Sequence, residues 1–290
     1  MEWKISGGES GVDIKTFLNR QHISKRMLTD IKFAGGRIAV NEEEVTVRYS
    51  LETGDHLTVQ FPPEPKSPNL KPENLDLAVV YEDKDILVVN KPPYMTTIPS
   101  REHPDGSLAN AITGYYKRTG VDSAVHIVTR LDRDTSGLVL IAKHRHIHHL
   151  MSLQQKKREI KRSYEALAEG FFPNKEGTVN EPIGRKESSI IEREVRADGK
   201  AAVTHFQVVH QCEGFAHLKL SLETGRTHQI RVHMSHMGHP LLGDTLYGGD
   251  CGKMERQALH CFSLSFTQPI TGTSLNFTAK LPNDMETLLV

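Results

Sequence analysis

Apolar residues recur at helical spacing through Ile14, Phe17 and Leu18 of VDIKTFLNRQH, and this predicts a first helix. SKRMLTDIKFAGG opens on a Ser cap and closes on Gly35 and Gly36, the start and stop signals of a second. RIAVN and DHLTVQF then alternate as strands do, so residues 11 to 60 form a short unit of two helices and a small sheet. In FPPEPKSPNLKPE the pattern breaks. Pro62, Pro63, Pro65, Pro68 and Pro72 remove backbone donors and favour extended chain, which predicts a linker.

Beyond it, LAVVYEDKDILVVNKPP has two β-branched runs around Glu82-Asp83-Lys84, the pattern of a hairpin. VHIVTRLDRDTSGLVLIAK predicts a strand, a polar loop and a second strand from Gly137. HRHIHHLMSLQQKKREIK is helical in pattern, and RSYEALAEG returns to strand. AAVTHFQVVH, FAHLKLSLE, ALHCFSLSF and SLNFTAKL are further strands, interrupted by a helical segment from Thr227 to Met237 that Gly238 and Pro240 stop. Strands dominate without regular βαβ alternation. The expected class is α+β: a mixed, largely antiparallel sheet with flanking helices, preceded by a small α/β domain. The expected division is 1–61 for the small domain, 62–75 for the linker and 76–290 for the large domain.

Composition adjusts this picture modestly. The 290 residues are 37% hydrophobic, enough for one large core and one small module. Lys plus Arg and Asp plus Glu are 36 each, so any nucleic-acid contact must come from local clusters of positive charge. No apolar run reaches signal-peptide or membrane-span length, which predicts a soluble, cytoplasmic protein. Cys212, Cys251 and Cys261 are too widely spaced for a disulfide framework or a zinc site.

Common catalytic signatures are missing: no G-x-G-x-x-G, no Walker loop, no H-E-x-x-H, no G-x-S-x-G. Two histidine groups, His144, His146, His148 and His149, then His228, His233, His236 and His239, lack a carboxylate or thiol at ligand spacing. The first is expected as a polar helix surface, the second as packing and backbone-bonded rings; no metal is assigned. Asp132, in TRLDRDTSGLVLIAK, differs because a carboxylate is ionised at neutral pH and needs no partner base to attack. Arg130 and Arg133 flank it, so a surface ion pair is the competing explanation.

TRLDRDTSGLVLIAK resembles the catalytic signature of the RluA-type pseudouridine synthases, whose R-L-D-x-x-T-S-G carries the catalytic Asp. ILVVNKPP resembles that family's first motif, KRSYEALAEG its tyrosine strand, and LETGRTHQIRVH with HPLLGDTLYGG its arginine motif. ALHCFSLSF to LPNDM resembles its closing strands, so the likeness runs from about 76 to 286 in order. Thr129 stands where many members have His, and YMTTIPS replaces a stretch with Gly and His-Pro, which leaves substrate choice open. GGRIAVNEEEVTVRYSLETGDHLTV resembles the small S-four-like RNA-binding domain.

The resemblance implies isomerisation of uridine to pseudouridine in structured RNA without a cofactor. Asp132 would be the nucleophile or a base, Tyr164 would stack on the uracil, and Arg226 would pair with Asp132. Arg130 would replace the extruded nucleotide or bind phosphate. Lys91, Lys156, Lys157 and Arg158 on the large domain, with Lys25, Arg26 and Arg37 on the small one, would contact RNA. Ribosomal RNA is the expected target and transfer RNA the alternative; no membrane or obligate protein partner is implied. Rival readings are a non-catalytic RNA-binding or ribosome-assembly factor, and a glycosidase using Asp132 and Asp134. Aromatics at 6% with one Trp give the glycosidase no sugar platform.

Overall fold

The structure, a computed structural model, describes residues 1–289 and divides into two compact units. The first comprises Met1–Ser67 with Val121–Ala124. It contains β1 (Glu2–Lys4), α1 (Ile14–Arg20), α2 (Lys25–Phe33), β2 (Arg37–Val40), β3 (Glu43–Glu44) and β4 (His56–Gln60). Its strands pair antiparallel in the order β1-β4-β2-β3. The caps follow from the sequence. Asp13 accepts the Thr16 N–H at 2.7 Å, and Ser24 accepts that of Met27 at 3.2 Å. Ile14, Phe17 and Leu18 are buried, as their spacing predicted, against Ile31, Leu57 and Val59.

The second unit, from Pro68, continues with β5 (Val79–Glu82), β6 (Ile86–Lys91), α3 (Leu108–Thr119), β7 (His126–Ile127), β8 (Ser136–Ala142), α4 (Arg145–Lys156) and β9 (Lys161–Glu169). After these come β10 (Glu176–Asn180), β11 (Ile183–Arg185), β12 (Arg193–Val195), β13 (Val203–Gln211), β14 (Phe215–Leu222), α5 (Gln229–His236), β15 (Leu259–Thr267), β16 (Ser274–Thr278) and α6 (Asn283–Glu286). The large sheet runs β10-β13-β14-β9-β15-β8-β6-β5, with β16 on β15 and β7 on β8. Every pair is antiparallel except β15 with β8. All of β8 is buried, which explains why SGLVLIA is continuously small or apolar rather than alternating. The α+β class therefore holds. Among the described residues no helix is long and apolar enough to cross a membrane.

The Pro-rich stretch is a linker only in part, because its second half packs on α3. Extended chain leaves its carbonyls unpaired, and α3 supplies partners: Asn110 donates to the Lys71 carbonyl at 2.9 Å. The Glu73 carboxylate accepts the Gly106 N–H at 3.0 Å, and a Cβ on Gly114 would lie 1.9 Å from the Glu73 carbonyl. Ser107 and Asn110 form the capping box that starts α3. The hairpin of β11 and β12 is a second element that the sequence pattern left unassigned.

Candidate active site

Asp132 lies in the loop between β7 and β8, half-buried, and the peptides around it are tied from several directions. The Thr97 hydroxyl donates to the Leu131 carbonyl at 2.6 Å and accepts the Leu131 N–H at 3.2 Å. The Thr135 N–H closes a turn on the Asp132 carbonyl at 3.2 Å. Arg256 donates to the Asp134 carbonyl at 3.0 Å and is held by the Asp284 carboxylate at 2.6 and 2.9 Å. The loop is thus over-determined at the backbone, leaving the carboxylate to project into a cavity of about 520 Å³.

The cation beside that carboxylate is Arg231, on α5. Its Nη1 donates to Asp132 Oδ2 at 3.3 Å, while Nε and Nη2 make a bidentate pair with Asp244, both at 2.7 Å. Burial alone would lower the Arg231 pKa, but the Asp244 carboxylate outweighs it and raises the value, keeping the guanidinium charged. Its plane also sits 4.9 Å from the Tyr247 ring centroid. The pairing expected of Arg226 is not made. Arg226 is exposed at the cavity wall, ahead of α5, and donates instead to the Ala201 carbonyl at 3.0 Å. The same motif holds both arginines; the readable difference is that Arg231 lies between Ile230 and Val232, where a cation is buried only with an acid to meet it.

Tyr164, on β9, lines the same cavity. It is buried, and loss of solvent raises its pKa, so the phenol is protonated at neutral pH. Arg130 and Arg162 also line the cavity.

The sequence profile described as RNA pseudouridylate synthase matches residues 85–236. A Bacillus subtilis (strain 168) protein named uncharacterized RNA pseudouridine synthase YjbO is 53% identical over 95% of this chain and 98% of its own length. The chain belongs to the RNA pseudouridylate synthase family. Ribosomal large subunit pseudouridine synthase D of Escherichia coli (strain K12) is 40% identical over 76% of this chain and 71% of its own. The solved structure of human RNA Pseudouridylate Synthase Domain Containing 1 matches the fold at TM-score 0.58 and 24% identity, over 78% of this chain and 96% of that one. These synthases are isomerases that convert uridine to pseudouridine.

Against this family background the expected RNA-contacting residues separate into two groups. Lys25, Arg26, Arg37, Arg130, Lys156 and Lys157 are exposed. Arg158 is exposed as well, but it pairs with Glu223 at 2.9 Å. Lys91 corrects its expectation: it is 0% exposed, and its ammonium donates to the carbonyls of Pro92, Met95 and Arg133. It braces the Asp132 loop rather than lying exposed to RNA. The first histidine group is not uniformly surface either, since His146 is buried and His144 bonds Asp85 at 3.0 Å. His233 and His239 bond to backbone carbonyls of Glu181 and Glu169 as expected of the second group, but His228 stands at the synthase site, 3.9 Å from Asp132. His228 lies within LETGRTHQIRVH, where the expectation is packing or a backbone bond, and Thr97 lies in the divergent YMTTIPS; only the geometry places them beside Asp132 and Leu131.

Proposed function

We propose that this pseudouridine synthase modifies uridines in structured ribosomal RNA, with Asp132 as its nucleophile. The observation that carries the reading is the Asp132 carboxylate, open to the cavity on one side and held by the Arg231 guanidinium on the other. Arg231 orients the carboxylate, which needs no partner base, so the group is ready to attack. Asp132 adds to the anomeric carbon or to the uracil ring, and the bond from the base nitrogen to ribose breaks. The base turns, ring carbon 5 bonds to the anomeric carbon, the bond to Asp132 breaks, the carbon 5 proton passes to solvent, and the freed base nitrogen takes up a proton in exchange. No electrons are gained or lost overall, and no cofactor enters.

Tyr164 forms the wall against which the uracil packs, and Arg130, Arg162 and Arg226 supply positive charge at the cavity for the phosphates of an extruded nucleotide. Extrusion costs least from loops, which favours structured RNA over plain duplex. Relatives named for the ribosomal large subunit favour ribosomal over transfer RNA, and the cytoplasm is where such a target is met. The N-terminal unit acts as an S-four-like RNA-binding arm through Lys25, Arg26 and Arg37, all exposed. No obligate protein partner is invoked.

Tritium release from RNA labelled at uracil carbon 5 measures turnover directly. Asp132→Asn is expected to abolish release while RNA binding persists; full release would reject the assignment. Pseudouridine mapping in cells with and without the gene separates the targets: a lost ribosomal RNA position supports the reading, and a lost transfer RNA position overturns it. Deleting residues 1–62 is expected to weaken binding, and unchanged affinity and target choice would refute the RNA-binding arm.

A further inference from the structure

We propose that His228 is a positioning residue for Asp132, presenting a neutral Nε2–H to the carboxylate because Tyr247 and the β11–β12 hairpin fix its tautomer. The imidazole faces two polar groups. Nε2 lies 3.9 Å from Asp132 Oδ2, on the oxygen that also meets Arg231, and Nδ1 lies 2.8 Å from the Tyr247 hydroxyl. That hydroxyl accepts the Arg193 N–H, at the start of β12, at 2.9 Å. With an acceptor site already filled, its own proton is available for Nδ1, which then accepts and leaves the ring proton on Nε2. The other neutral tautomer would turn an Nε2 lone pair toward a carboxylate. Only the Nε2–H form both satisfies Nδ1 and turns a proton rather than a lone pair toward the acid.

The backbone supports the same reading. His228 has φ 56°, a left-handed conformation rare for a side-chain-bearing residue, and it is the residue immediately before α5. That turn aims the ring back toward the nucleophile, while Arg231, three residues on, reaches it from the first turn of the helix. Burial lowers the His228 pKa; Asp132 and Asp244 oppose this and Arg231 and Arg193 add to it, so burial prevails and favours the neutral ring. A neutral donor orients the carboxylate without competing with Arg231 for its charge.

The role rests on Asp132 being the nucleophile, yet its structural half is measurable without turnover. ¹⁵N NMR of the histidine rings in the full-length wild-type protein is expected to give the Nε2–H tautomer for His228, with Tyr247→Phe shifting it toward a mixture. An Nδ1–H or charged ring in the wild type overturns the proposal, whatever the activity of Asp132→Asn. For function, His228→Phe keeps the bulk without the donor and His228→Gln restores an N–H near the Nε2 position. We expect His228→Phe to lower kcat by about three- to tenfold, less than loss of a full charged hydrogen bond because the donor stands 3.9 Å from the acid, with KM little changed. His228→Gln is expected to recover most of that loss. Equal kcat in the two variants, or an effect confined to KM, would sink the positioning role, and loss of the Asp132→Asn phenotype would instead sink the reading beneath it.

Discussion

The Lys91 ammonium donates to the Arg133 carbonyl at 3.0 Å, joining the end of β6 to the residue that follows Asp132. Its remaining protons go to the Met95 and Pro92 carbonyls at 2.7 and 2.9 Å. Three N–H groups meet three carbonyls, and the fit is complete only while the amine is charged.

Burial pushes the Lys91 pKa down to about 7, with Asp134 and Asp132 resisting the change. From there up to the ordinary lysine value of 10.5, the unfolded chain therefore holds more protons than the folded one. Stability contributed by this group consequently rises with pH across that window. Activity should move the opposite way, because a neutral amine has one donor too few for its carbonyls and loosens the Asp132 loop. Urea denaturation and kcat measured from roughly pH 6 to 11, an interval that spans both values, check the pair of slopes. In Lys91→Met both slopes should vanish at this group, on a background of kcat at least about tenfold lower.

Arg231 and Arg226 should separate cleanly in kinetics. Arg231→Lys keeps a charge but not the fork that holds Asp244 on one side and reaches Asp132 on the other, so kcat is expected to fall about a hundredfold or more. Arg226→Ala, touching only a backbone carbonyl, should raise KM several-fold through lost phosphate attraction and leave kcat within about threefold. The reverse pattern in tritium release would restore Arg226 as the partner of Asp132.

Apolar patterning made α1 and α2 legible in the first unit through a regular buried face, and β6 and β8 in the second through nearly continuous apolar runs. Asp132 was legible too, since a short run of residues encodes its loop. Its partner was not: LETGRTHQIRVH offers two arginines, and which one turns inward depends on where α5 begins and on Asp244, farther along the chain. α3 escaped notice because LANAITGYYKRT mixes small, polar and aromatic residues, and its packing partner is the proline-rich segment. Lys91 looked like an RNA contact because a lysine is usually exposed; only a set of converging carbonyls makes its burial possible.

Gly137 marks the point where the catalytic loop enters the sheet, and its replacement should be costly. Its φ is 116°, and a Cβ there would lie 2.3 Å from the Cys261 carbonyl across the single parallel pairing. Gly137→Ala must therefore shift β8 from β15 as well as strain its own backbone. Thermal unfolding is expected to drop by several degrees or more, consistent with a loss of at least about 2 kcal/mol. An unchanged melting temperature would contradict the close approach.

Thr97 tests whether the loop's backbone ties matter to catalysis independently of the charges around Asp132. Its hydroxyl satisfies both polar groups of Leu131, the residue just before Asp132, and both residues are buried. Thr97→Val preserves shape and volume while removing that oxygen, leaving a buried N–H and a buried carbonyl without their partner. Each orphaned group costs about 1 to 3 kcal/mol if water cannot replace the hydroxyl. The strain can be relieved by moving Leu131, which would draw Asp132 away from Arg231 Nη1, already at 3.3 Å. The expected result is a kcat lowered by about tenfold or more, with RNA affinity retained because no phosphate contact is touched. Thr97→Ser, which keeps the oxygen, should stay within about threefold of wild type. If Val and Ser variants turn over alike, the position of Asp132 is set by its other ties, from Arg231, Lys91, Arg256 and the Thr135 turn, and the hydroxyl serves stability only.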